Sequence, residues 1–492
     1  MADRIGERRP SRATADGTLS RRAFLGGAVA SALAPSGAYG IIERLVPPGA
    51  RLRPGQGTLA EPHGLPPEQY LFAGTRTVTD NGVVVDVPPL YHEVVTAKLA
   101  AATSASGLHE AQHALEAVLA GMEDDGLLTF TPQGLGLAIV WGLPYFDRFL
   151  PASLVARHMP LDVSGSALQG AYRPVLLPSV RFASDPKDTI LENNDIAVVM
   201  ASDSLPHLAA AYSAVFGGTL AGLFDVTSRR KGFVDATRLG RGGQSLTKRF
   251  ALASKLPGAE LIPDQSPLFL GFTSTQAAAQ GQRGIANLES LGMTNQRAGS
   301  YFAGGTVLAL SHLFEDLAEW YSRNAYADRV DVAFRPGLGS TVPPGTMTVA
   351  EGPGGAETER DVRSDIGAYG IVGHSGSMQP VSRLQQDTNG FGKGSAIPVR
   401  ADFNTVDDPF AYSADPSRDQ WSPYPSAGVH FLSYVPTSDY FTRLRSAMDG
   451  GLKSASPPYR AFVNSAGIAT THRQNFLVPP RAHRSFPLTE LI

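Results

Sequence analysis

The sequence predicts an α+β protein built in two similar halves. Strand-like segments run into helix-like segments in both halves of the 492-residue chain, and short apolar pieces bounded by Gly and Pro lie between them. No repeat of short period interrupts this order.

In the first half, residues 108–122 place Leu108, Ala111, Leu115, Val118, Leu119 and Met122 on one stripe, the spacing of an amphipathic helix. The short apolar runs LLTF (127–130) and GLAIVWGLPYF (136–146) read as strands, as does DIAVVMAS (195–202), with a helix behind it over 205–216. The second half repeats the grammar. GGTVLALS (304–311) reads as a strand entering the helical HLFEDLAEWYSRNA (312–325), and GVHFLSYV (428–435) as one entering the helical SDYFTRLRSAM (438–448). Residues 39–88 are rich in Pro and Gly and read as an irregular extension; 335–365 and 384–396 read as turn-rich loops.

The first 38 residues form a secretory leader. Ser20-Arg21-Arg22-Ala23-Phe24-Leu25 is a twin-arginine motif, and the apolar run Ala23 to Ala34 that follows is shorter than the roughly 20 residues a bilayer span needs. Ser36-Gly37-Ala38 offers small residues for cleavage before Tyr39. The expectation is export in the folded state by the twin-arginine machinery, to the periplasm or beyond, without membrane insertion once the leader is removed. Cysteine is absent, so stability rests on packing rather than disulfides. With 42 basic and 45 acidic residues, the net charge of −3 speaks against general nucleic-acid binding.

Among candidate motifs the most conspicuous is His109-Glu110-Ala111-Gln112-His113, the H-E-x-x-H pattern of zinc peptidases. Helical projection puts both histidines opposite the apolar stripe, with Gln112 and Glu116, and a solvated polar face accounts for them better. GFGKGS (390–395) lacks the spacing and strand–helix setting of a phosphate loop, and Gly240-Arg241-Gly242-Gly243 is a basic turn. No G-x-S-x-G elbow occurs. A quieter set is Asp235 in GFVDAT (232–237), His374 after the turn AYGIVG (368–373), and Arg400 closing the apolar AIPVR (396–400).

In that order these residues resemble the dye-decolourising peroxidases. GFVDA looks like the family's distal G-x-x-D-G, with Ala236 in place of the second glycine. His374-Ser-Gly-Ser-Met-Gln379-Pro380 is similar to its H-x-x-x-x-N-P-R, with Gln for Asn and the arginine displaced to Arg383. AIPVR resembles the segment that ends in the family's distal arginine. GSYFAGGTVLALSHLFEDLAEWY, AGVHFLSYV and NFLVPP resemble its Gly-Ser-Tyr strand and helix, penultimate strand and closing segment. The pieces span roughly residues 90 to 482.

The resemblance implies two ferredoxin-like domains with antiparallel sheets, over 89–230 and 299–492, joined by a linker (231–298) that carries the distal acid. It further implies haem b with His374 as iron ligand, Asp235 as acid–base group, Arg400 as charge stabiliser, and Phe431 and Val429 as pocket wall; charge alone suggests Arg383 beside a propionate. Trp141, Trp320, Trp421 and the tyrosines would pass electrons from bulky reductants such as dyes or phenolics to hydrogen peroxide. An axial histidine usually donates its other N–H to an acid, which the sequence leaves unnamed. The altered motifs keep a second reading open, a haem-binding or haem-handling protein with little turnover; a zinc peptidase built on His109, Glu110 and His113 is a third. A homo-oligomer is compatible with all three.

Overall fold

The computed structural model describes residues 37–46, 58–59, 75–100, 104–129, 131, 133–164, 172–235, 243–272, 287–349, 359–383, 396–406, 426–450 and 462–492. Residues 1–36, which include the twin-arginine motif at Ser20–Leu25, and Ala236, Trp421 and the glycine-rich 390–395 lie outside these residues.

Residues 39–88, expected to be irregular, contain regular structure. Helix α1 (Gly37–Leu45) buries Ala38, Ile41 and Ile42, and the Tyr39 hydroxyl donates to the His92 carbonyl at 2.6 Å. A hairpin of β1 (Arg76–Asp80) and β2 (Val83–Val87) turns on Asn81 and Gly82, both at positive φ (48° and 75°), as a tight two-residue turn requires.

The body is one ring of antiparallel strands. The first unit runs β3 (Tyr91–Leu99), α2 (Ala105–Asp124), β4 (Gly136–Gly142), β5 (Ile196–Ser202), α4 (Leu205–Phe216) and β6 (Phe224–Phe233), with a short α3 (Leu143–Phe149) after β4. Its strand order is β6-β3-β5-β4, the ferredoxin-like arrangement. Between the units, α5 (Leu246–Ala253) packs beside the first.

The second unit begins with β7 (Thr306–Glu315) and continues through α6 (Leu317–Arg323), α7 (Tyr326–Ala333), α8 (Glu359–Tyr369) and α9 (His374–Ser382). It then runs through β8 (Val399–Arg400), β9 (Phe403–Thr405), β10 (Gly428–Val435), α10 (Ser438–Met448) and β11 (Ile468–Val478). The order β9-β10-β7-β11 repeats the first. β6 pairs with β9 and β4 with β11, which closes the ring. At the first junction an added Cβ on Gly232 would stand 2.2 Å from the Asn404 carbonyl, so only glycine lets the strands meet.

The strands are apolar on both faces because both are covered. Val94, Val140, Val199, Leu308, Leu310, Phe403 and Phe476 fill the inside of the ring. Val95, Ile139, Val198, Val307 and Leu477 face outward, in one buried cluster with Leu108, Leu115 and Leu119 of α2 and Leu208 of α4. The ring interior also holds a polar layer. His312 pairs across strands with His430 and His472, with ring centroids 4.3 and 6.0 Å away. Burial holds His312 and His430 well below the usual imidazole range, so both are neutral. Burial would raise Glu192, but Arg230 and His472 overcome it and hold that carboxyl at about 2.

Several expectations are corrected. LLTF (127–130) forms no strand over its described residues, and 143–146 is helical, with Pro144 in its first turn. Residues 312–315 prolong β7, because both neighbouring strands continue beside them, and the helix starts only at Leu317 behind its Asp316 cap. The end of the expected loop 335–365 belongs to α8. The polar face of α2 is left to solvent at Glu110 and His113, but it is partly covered at its other histidine, Gln112, Glu116 and Glu123. His109 Nε2 lies 2.6 Å from the Thr489 carbonyl, Gln112 donates to the Ser485 and Phe486 carbonyls, and Glu116 and Glu123 bind Arg484. The chain's own residues 484–490 cover this part.

Among the described residues no helix is long and apolar enough to cross a membrane.

Candidate functional site

On β7 the side chains alternate, so His312 points into the ring and Ser311, Leu313 and Glu315 point out. Helices α6, α7, α9 and α10 stand over that outer face, and a cavity opens beneath them. It holds about 1140 Å³ of empty space counting its open mouth. Most of its wall is apolar, including Leu268, Phe272, Trp320, Phe334, Phe431 and Phe462.

The helix α9 begins at His374 because the chain turns at Gly373 (φ +79°), where an added Cβ would meet the Phe334 carbonyl at 2.2 Å. This close approach sets the imidazole against the cavity, 4.6 Å from the Phe462 ring. Its Nδ1 is buried and has no hydrogen-bond partner among the described residues. Burial, aided by Arg400 and Arg445, pushes its pKa down to about 3, so the ring is neutral, the form that ligates a metal.

Arg400 follows from a second alternation. Val399 and Phe403 turn into the ring with Ala401 against them, while Arg400, Asp402 and Asn404 turn out and line the cavity. Asp402 accepts the Leu432 N–H at 3.1 Å. Burial raises it to about 6 against the pull of Arg400. Burial, and then Asp402, raises Glu315 to about 8, so this carboxyl is protonated at neutral pH; its Oε2 has no partner among the described residues. Two more arginines face the cavity with their charges engaged. Arg473 grips Asp185 through both terminal nitrogens, and Arg445 binds Asp449 and Ser184.

The structure thus brings together His374, Arg400, Phe431 and Val429 in one cavity. Trp320 also lines it, its indole N–H donating to the Leu270 carbonyl at 2.9 Å. Asp235 stands apart. It is 3% exposed, is not among the cavity-lining residues, and its Oδ2 accepts the backbone N–H groups of Leu246 and Thr247 at the start of α5. Arg383 is buried below α9, donating through Nε to Gln379, and likewise does not line the cavity. Gln379, Arg400 and Phe431 share a smaller adjoining hollow. Trp141 packs on Tyr145 and Phe486, away from the site.

The H-E-x-x-H residues do not assemble a metal site. Among the described residues no three His, Asp or Glu side chains converge on a metal position, and His109 is committed to the Thr489 carbonyl. Sequence reasoning passed over Asp402, Glu315, Arg445 and Arg473. Asp402 was legible as the second member of an R-x-D alternation; Glu315 was hidden by reading its strand as a helix.

A model of a family of unknown function, DUF7405, matches residues 89–480. Comparison with curated proteins gives no match. Among solved structures the fold is similar to DtpA from Streptomyces lividans in an oxyferrous complex (14% identity, 88% of this chain and 96% of that one, TM-score 0.48). It is similar also to a DyP-type peroxidase from Cellulomonas bogoriensis (16% identity, 86% and 95%, TM-score 0.47) and to a dye-decolorizing protein from V. cholerae (11%, 81% and 97%, TM-score 0.45).

Proposed function

The chain belongs to the DUF7405 family, whose function is unknown, and for this member we propose a haem-dependent peroxidase that oxidises bulky reductants such as dyes or phenolics. One observation carries the reading: a neutral, buried imidazole with no partner for Nδ1 among the described residues, set by Gly373 into a largely apolar cavity whose polar wall includes Arg400 and Asp402.

These residues fit haem b. His374 would ligate the iron, and the apolar wall would take the macrocycle. When bound, haem supplies a redox-active iron that accepts hydrogen peroxide and exchanges electrons with it. The chain's part is to orient and to hold charge. His374, neutral before it binds, needs no deprotonation to become a ligand. Arg400 stays cationic at any working pH and stabilises negative charge that develops as the O–O bond breaks. Phe431, Phe334 and Phe462 keep bulk water from the reacting oxygens. Trp320, buried in the cavity wall, would pass electrons inward from a reductant too large to enter.

The motif at Ser20–Leu25 supports export by the twin-arginine route, which carries folded proteins and suits a chain that takes up its cofactor beforehand. Haem binding with little turnover is the second reading, favoured by the position of Asp235 outside the cavity.

Reconstitution with haem tests both. The purified protein should develop a Soret band that His374→Ala removes, and dye oxidation by peroxide should fall about 100-fold in Arg400→Leu. A wild-type protein that gains no Soret band sinks the proposal; a Soret band with no turnover selects the second reading.

A further inference from the structure

We propose that Asp402 carries the exchangeable proton of this cavity, taking it from one peroxide oxygen and returning it to the other beside the fixed charge of Arg400. The assignment rests on the peroxidase reading and moves the acid–base role away from Asp235.

Geometry separates the two aspartates. Residues 399–405 run extended beside β10, so Arg400, Asp402 and Asn404 emerge on one face, into the cavity. Asp402 lines the cavity and is anchored through Oδ1 by the Leu432 N–H, so the carboxyl is fixed in place and faces a bound molecule. Asp235 is buried and is not among the cavity-lining residues, and its Oδ2 is occupied by two backbone donors of α5. Its contacts are those of a helix anchor. A general base must come within hydrogen-bond reach of the proton it removes.

The surroundings of Asp402 suit the task. The other charged or titratable side chains lining the cavity are Glu315, His374, Arg400, Arg445 and Arg473. Arg445 and Arg473 are engaged by Asp449 and Asp185, and His374 is neutral. Glu315 is protonated at neutral pH, so it adds no second negative charge and offers an O–H. Burial brings Asp402 to about 6 against the pull of the Arg400 charge, so that it both accepts and releases a proton near neutrality.

The step balances. Asp402 as carboxylate takes the proton of the inner peroxide oxygen, then gives it to the outer oxygen as the O–O bond breaks, and that oxygen leaves as water with both hydrogens of the peroxide. Asp402 ends as it began. Two electrons from the reductant and two protons from solvent take the remaining oxygen to a second water.

Two measurements decide it. In haem-free protein, infrared pH titration should show a carboxylic C=O band that appears as pH falls through about 6 and is missing in Asp402→Asn. In haem-loaded protein, Asp402→Asn should keep its Soret band but lose about 100-fold or more in turnover. Asp402→Glu, which restores the carboxyl, should recover much of the rate and shift the acid limb of the pH profile. Asp235→Asn should keep that limb and lose thermal stability. The proposal is overturned if Asp402→Asn binds haem and turns over like wild type, or if the acid limb vanishes in Asp235→Asn instead. A wild-type protein that binds haem without turnover defeats the peroxidase reading separately. The infrared band, present and lost in Asp402→Asn or absent from the start, then sustains or overturns the proton assignment by itself.

Discussion

In the first unit a single helix of 20 residues, α2, lies across the sheet, and its Leu108, Leu115 and Leu119 share one buried cluster with Ile139 and Val198. In the second unit the same stretch of topology, between β7 and β9, is cut into α6, α7, α8 and α9, and the outer face of β7 fronts a cavity. Two units with one strand order thus differ in how their helices cover the sheet. A long amphipathic helix seals an apolar face; several short ones, turned by residues such as Gly373, leave room and bring polar side chains to its rim. The sealed unit is packed through, and the cavity falls to the unsealed one.

Truncation of the packed side should cost most. Leu115→Ala is expected to lose about 2–5 kcal/mol in urea unfolding, because the fully buried leucine leaves a void. Phe431→Ala, on the wall of an existing cavity, should lose about half of that or less, since part of its surface already lacks neighbours. Equal losses would erase the contrast between the units.

Buried acids sharpen it next. Asp235→Ala strips two backbone donors of α5 of their acceptor and should destabilise by about 1–3 kcal/mol. Glu315→Gln, which removes an acid with an unpartnered oxygen, should cost little at pH 5 and stabilise at pH 8. The sign follows from linkage. Glu315 titrates at about 8 when folded and near 4.5 when unfolded, so the native state holds the extra proton between those values and stability falls as pH rises across them. The variant should flatten that fall by at most about 1.4 kcal/mol per pH unit, measured as denaturation midpoints from pH 5 to 8. A slope identical to wild type would show that Glu315 ionises normally.

The smallest effect concerns the ring interior. His312 and His430 titrate lower folded than unfolded, so the unfolded state binds more protons below pH 6.5, and their contribution is complete above that value and lost as pH falls. His312→Gln should therefore soften acid unfolding without moving the midpoint at pH 8; an unchanged acid limb would assign acid lability elsewhere.

What was legible follows from how local each cause is. Helices 205–216 and 438–448 begin and end where the sequence indicates, because Pro206 and the Thr437 cap mark their starts. Strand 428–435 is likewise bounded by its own residues. The Asn81-Gly82 hairpin carried a plain turn signal inside a region read as irregular. Residues 312–315 were misread because only their pairing with β10 and β11, more than a hundred residues away, decides strand against helix. At the site, His374, Arg400 and Phe431 were reached through the family resemblance. Asp235 was named with them, but the cavity turns out to be lined by Asp402, Glu315 and Arg473, which ring closure gathers from separate strands.

The closing strand sets the order in which the molecule can be made. β11 bonds β4 on one side and β7 on the other, and the segment after it fastens α2, made more than 350 residues earlier, through Glu116 and Arg484. Until residues 468–490 have left the ribosome, β4 and β7 are raw sheet edges open to wrong partners. Such distant pairing is slow to form. Closure of the ring is therefore a late event, and β11 is the piece whose docking marks its completion.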